Sequence, residues 1–147
     1  MKKLKLIPIL ALLFMVNVAS MCSDDDSSSS SSTPNQVTDN VSGGTWRVSL
    51  YNEDGTVKTS DFSGYAFIFD ADGSVTAIKS ETIQIGDWSS YNDSGSTKFD
   101  LVFAALDGPF ESISEDWNVL SSSSTVLSLK HVSGGDGSID LLTFTKI

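Results

Sequence analysis

Few side chains in this 147-residue chain are equipped for chemistry: one histidine, one cysteine and 19 acidic residues. His131 sits in a strand-like run with Leu127, Leu129 and Val132. A general base needs a positioned partner and a reacting group within hydrogen-bond reach. Nothing near His131 in the sequence supplies a nucleophile, so it is read as a structural or surface histidine. A single histidine also excludes a His/Cys metal cluster. Asp70-Ala71-Asp72-Gly73 falls short of a calcium loop, because the glycine comes too early and strand-like runs flank the turn. Glu53, Asp54, Asp70 and Asp72 lie at turns, where acids bond local backbone N–H groups. The expectation is a protein that is not an enzyme, with no catalytic residue, no metal and no cofactor.

The charge balance sets a further bound. There are 9 Lys+Arg against 19 Asp+Glu, a formal net charge of -10. Binding nucleic acid needs a basic footprint that this chain lacks. Three of the few lysines, Lys2, Lys3 and Lys5, form a basic start ahead of an apolar run over residues 6–16. That run is too short to span a hydrocarbon core and fits the central part of a secretory signal peptide over residues 1–21.

Val18-Ala19-Ser20-Met21-Cys22 resembles the lipobox of bacterial lipoproteins, with Met21 standing where a smaller residue is usual. The resemblance implies that Cys22 becomes the first residue and carries acyl chains, palmitate among them, as a membrane anchor. Cleavage after Ser20, leaving a free thiol at Cys22, is the competing reading. Ser23-Asp24-Asp25-Asp26 resembles the acidic surface-export signal of Bacteroidetes lipoproteins. It implies a protein held on the outer membrane and facing outward, with a periplasm-facing placement as the alternative. Acyl chains contribute about 0.8 kcal/mol per buried methylene, so several would anchor durably.

Residues 22–42 contain an unbroken serine run over 27–32 and only Val37 and Val41 as aliphatic side chains. Such a stretch cannot bury enough surface to offset its ordering entropy, and it is read as a flexible acidic and serine-rich linker. About 20 residues of this kind reach roughly 25 Å.

From Gly43 the pattern changes to short runs of aromatic and β-branched residues, punctuated by Asp54-Gly55, Asp72-Gly73 and Asp136-Gly137. Period-two alternation predicts eight strands, over residues 45–51, 65–69, 74–80, 86–91, 98–104, 117–121, 125–132 and 140–147. The acidic stretch 106–116, with Pro109, is expected to be a loop with one helical turn near Glu111. Local connections and the need to remove open edges favour an all-β fold: an eight-stranded antiparallel up-and-down barrel over residues 43–147. A two-sheet sandwich is the rival.

Gly44-Thr45-Trp46 matches the Gly-x-Trp that opens the first strand of lipocalins. The order of Asp72-Gly73, Gly86-Asp87-Trp88, Phe99-Asp100-Leu101, Asp116-Trp117-Asn118-Val119 and Leu142-Thr143-Phe144-Thr145-Lys146 resembles the small lipocalin-like domains of Bacteroidetes lipoproteins. The resemblance implies a barrel floor of Gly44 and Trp46 beneath a cation. Arg47 and Lys146 are the candidates, with Lys146 preferred because the last strand should neighbour the first. It also implies an interior that binds a small apolar or amphipathic molecule at the open end, with Tyr65, Trp88, Phe99 and Trp117 as candidate lining. A filled barrel that works through its outer surface or through residues 106–116, with no internal ligand, is the alternative. A monomer is expected.

Overall fold

The computed structural model describes residues 32–147. The expected signal peptide over residues 1–21, Cys22, Ser23–Asp26 and the expected linker as far as residue 31 lie outside the described residues.

Alternation of large apolar and polar side chains produces a closed antiparallel barrel. Its main strands are β1 (Thr45–Glu53), β3 (Ala66–Phe69), β4 (Ser74–Lys79), β5 (Thr82–Asp93), β6 (Ser96–Phe103), β7 (Asp116–Ser122), β8 (Val126–Val132) and β9 (Ile139–Lys146). A two-residue strand, β2 (Thr56–Val57), folds back on the end of β1. Each main strand pairs with the next, and β9 returns to β1 with Trp46 opposite Lys146 and Val48 opposite Phe144. Eight strands around one axis leave an interior just wide enough for side chains to fill.

Turn chemistry sets the connections. Asp54 and Gly55 both take positive φ, at 46° and 85°, the backbone that a two-residue hairpin requires. Ser94 and Gly95 do the same between β5 and β6, at 53° and 84°. Asp72 accepts from the Ser74 backbone N–H at 2.9 Å and from the Ser74 hydroxyl at 2.7 Å, and these bonds lower its pKa. That acid is occupied by its own turn.

The interior is a network of aromatic rings. Phe67 meets Phe103 and Phe144 edge to face, Phe69 meets Phe99 and Phe144 likewise, and Trp88 stacks on Phe99 at 5.4 Å. Such pairs add about 0.5–1.5 kcal/mol each beyond the burial of their area. Gly86 lets two strands close up: a Cβ there would run into backbone atoms of Val102 and Phe103.

The flexible-linker reading of residues 22–42 is corrected at its C-terminal end. Pro34–Val41 forms a helix, α1, and Ser32 and Thr33 are built into its start. Thr33 and Gln36 make a reciprocal capping box, with Pro34 inside the first turn. Val37 and Val41 fall four residues apart on one face, and both are fully buried against the barrel. The folded unit therefore includes residues 32–42 as well as 43–147. Residues 106–116 contain a single short helix, α2 (Gly108–Ser112), in the place expected. β5 is longer than the expected 86–91, because Ile83 and Ile85 alternate onto the outer face and extend the strand.

Candidate functional site

Both ends of the barrel are covered. At the end where β1 begins, α1 lies across the opening. The Trp46 indole N–H donates to the Val41 carbonyl at 3.0 Å, the Thr97 hydroxyl to the Ser32 carbonyl at 2.6 Å, and the Asn40 amide to the Ser122 hydroxyl at 3.0 Å. The structure brings Gly44, Trp46 and Lys146 together here. The Lys146 ammonium stands 5.5 Å from the centre of the Trp46 ring, and a Cβ on Gly44 would collide with the Lys146 chain. A cation over an indole face is held by the ring quadrupole. Arg47 points to the outer face, as alternation from buried Trp46 and Val48 requires.

At the opposite end a 3-10 turn, Thr59–Phe62, and α2 insert Phe62 and Phe110. These rings pack edge to face at 5.5 Å, and Phe110 continues to Phe103 at 4.8 Å and to Tyr65 at 4.9 Å. The Trp117 indole N–H is bonded to the Ile113 carbonyl at 3.0 Å, tying α2 to the wall.

Of the four side chains expected to line a common pocket, three are neighbours, since Trp88 stacks on Phe99 and the β6–β7 register sets Phe99 opposite Trp117, but they sit there as packed core, and Tyr65 stands apart from them. Phe99 and Trp117 are fully buried within the packed interior. Trp88 is closed over by its bond from Nε1 to the Asp70 carbonyl at 2.9 Å. Tyr65 is half-buried on the far side, with the Lys79 ammonium 5.4 Å from its ring. The depressions bordered by Tyr65 and by Trp88 are separate and open to solvent.

Polar groups converge at the α2 end instead. Period two places His131 in line with buried Leu127 and Leu129, and Asp140 in line with buried Leu142 and Phe144. The β8–β9 register sets His131 opposite Asp140, with Nδ1 3.8 Å from Oδ2. The imidazole Nε2 lies 3.6 Å from Oε2 of Glu115 and 3.9 Å from Oδ1 of Asp116. The Lys98 ammonium approaches the other Asp116 oxygen at 3.6 Å. Trp117 meets the imidazole edge to face at 5.9 Å. His131 Nδ1 is buried with no hydrogen-bond partner. Among the described residues no hydroxyl or thiol is bonded to His131, so the cluster holds no activated nucleophile of the serine or cysteine kind.

Tyr51 lies beside this group on β1. Its hydroxyl donates to Oε1 of Glu53 at 3.3 Å, and Lys58 pairs with the other oxygen of that carboxylate. Burial first, then the charges of Glu53 and Asp140, push the phenol pKa well above its ordinary value of 10.0. The sequence reading singles out His131 as a structural or surface histidine and Glu53 as a turn acid, but does not join them to Glu115, Asp116, Asp140 or Tyr51. The signal was weak, because Glu115, His131 and Asp140 stand far apart in the chain and only strand register assembles them.

The outer wall carries a second feature. Ile83 and Ile85 on β5 and Val102 on β6 are 56, 62 and 48% exposed, and Leu106, just beyond β6, is 94% exposed. The Ala104 N–H bonds to the Ile85 carbonyl at 3.2 Å, so this chain segment leaves the wall beside the isoleucines.

No family model matches the chain, and no curated protein does. Among solved structures, a DUF4847 family protein from Bacteroides vulgatus is similar in fold. Its TM-score is 0.51 at 17% sequence identity, over 74% of this chain and 96% of that one. This likeness extends to the barrel architecture.

Proposed function

We propose that the chain is a lipid-anchored, lipocalin-like lipoprotein of the outer membrane whose filled barrel works through its outer surface, without catalysis and without an internal ligand. The observation that carries this reading is the packed interior closed by α1 at one end and by Phe62 and Phe110 at the other. A lipocalin pocket needs connected space and a mouth; here aromatic rings occupy the axis. The Gly44–Trp46–Lys146 arrangement supports the lipocalin-like assignment. The lipobox-like Val18–Cys22 and the acidic Ser23–Asp26 support anchoring at Cys22 and exposure at the cell surface.

Two measurements test this. Cys22→Ala is expected to move the protein from the membrane to the soluble fraction; a variant that stays membrane-bound overturns the anchor. Native mass spectrometry of the extracted protein, with tryptophan quenching across a panel of fatty acids and lipids, is expected to show neither a co-purified molecule nor saturable quenching. A stoichiometric small molecule that quenches Trp88 or Trp117 fluorescence would restore the pocket reading.

A further inference from the structure

We propose that Glu115, Asp116 and His131 form a binding site for a borderline divalent cation of the Zn²⁺ class, through Oε2, Oδ1 and Nε2. The imidazole makes this more than a group of surface acids. It is largely buried, with 16% of its side chain exposed, yet it makes no hydrogen bond at Nδ1 and stands too far from either carboxylate for one at Nε2. A direct N–H···O bond would draw these atoms to about 2.9 Å. They sit instead at 3.6 and 3.9 Å, and the three ligand atoms lie within 4.8 Å of one another.

Ligands about 2.0–2.1 Å from a tetrahedral zinc ion are roughly 3.4 Å apart. The two imidazole–carboxylate spacings, 3.6 and 3.9 Å, are wider by a few tenths of an ångström, and the two carboxylate oxygens, within 4.8 Å of each other, must close by up to roughly 1.4 Å. Glu115 and Asp116 are 44 and 53% exposed at their side chains, so they have room to close that gap.

The surroundings fit a cation. Asp140 faces the second imidazole nitrogen at 3.8 Å, beyond hydrogen-bond distance, and a shift of about 1 Å would let it accept the N–H that fixes the tautomer of a metal-bound histidine. Lys98 draws one oxygen of Asp116 and leaves the other turned to His131. Three carboxylates against one ammonium keep the local charge negative. A nitrogen ligand with two carboxylates selects transition-series ions and zinc over calcium, which takes six to eight oxygens. Three protein ligands leave the fourth position for water or for a donor from a bound partner.

Isothermal titration of the full chain with Zn²⁺ alone, and separately with Ca²⁺ alone, tests the site. The expected result is one Zn²⁺ per chain, with affinity reduced at least tenfold in Glu115→Gln and in His131→Gln, and with little response to Ca²⁺. Glu115 is solvent-facing, so its variant reports on binding even if His131→Gln disturbs the fold. A shift of the His131 Nε2 resonance on adding Zn²⁺ identifies the imidazole as a ligand. Zn²⁺ binding unaltered in both variants, equal binding of Ca²⁺, or no 1:1 binding at 100-fold molar excess of Zn²⁺ would each overturn the proposal.

Discussion

Tyr51 shows how a single buried group ties stability to pH. Its side chain is fully enclosed, packed against Phe62 at 5.5 Å, and its hydroxyl faces Glu53 with Asp140 near. The folded state disfavours the phenolate, so the folded pKa lies above the unfolded value of 10.0. Below pH 10 the phenol is neutral in both states and its contribution is fully present. Above pH 10 the unfolded chain releases the proton first, and stability falls as pH rises toward the folded pKa. Chemical denaturation at pH 8 and pH 11 is expected to show a larger loss for the native sequence than for Tyr51→Phe. Equal losses would mean that other groups govern the alkaline limit. Along the chain only the Tyr51–Glu53 pair, two residues apart on one strand, is visible; the burial and the Asp140 charge arise only when β9 closes on β1.

At the scale of elements, α1 is the part the linear pattern hides. The eight barrel strands are legible because large apolar residues recur at every second position and Asp-Gly pairs mark the turns. The segment Pro34–Val41 offers two valines among polar residues, too few for a periodic signal. Its start was readable in principle from Thr33, Pro34 and Gln36, the cap, first-turn proline and return partner of a capping box. Tertiary burial of Val37 and Val41, not intrinsic propensity, makes the helix stable. Val37→Asp is therefore expected to destabilise the domain by about 3 kcal/mol in urea unfolding, since it forces a charge into an apolar contact. Asn35→Asp, on the exposed side of the same helix, is expected to change stability by less than about 0.5 kcal/mol. The polar cluster was missed for a related reason. His131 and Asp140 become partners through the β8–β9 register, and Glu115 and Asp116 join them only once α2 has turned the chain into β7.

For the whole molecule, closure matters more than chain order. β1 pairs with β9 along most of its length, so the wall has no natural first strand. Ser32 is held by Thr97 and lies near Ser122, while the Ile147 N–H bonds to the Thr45 carbonyl, which puts both at the α1 end. A flexible glycine-serine linker of about 12 residues reaches roughly 20 Å, enough to join them across that end. A circular permutant of residues 32–147 opened between Gly134 and Gly135, in the exposed turn before β9, is expected to retain the β-sheet circular dichroism spectrum and to unfold in one transition. Loss of the cooperative transition would show that continuity of β8 and β9 is indispensable.

The position of Ser32 also orients the molecule. With an anchor at Cys22, the chain enters the barrel at the face that α1 plugs, and that face becomes the membrane-proximal pole. On the proposed outward-facing placement, the opposite pole, with α2, Leu106 and the Glu115–Asp116–His131 group, is the one turned away from the lipid. A reporter fused after Ile147 would crowd the anchored pole, whereas one inserted in the β8–β9 turn would stand clear of the lipid.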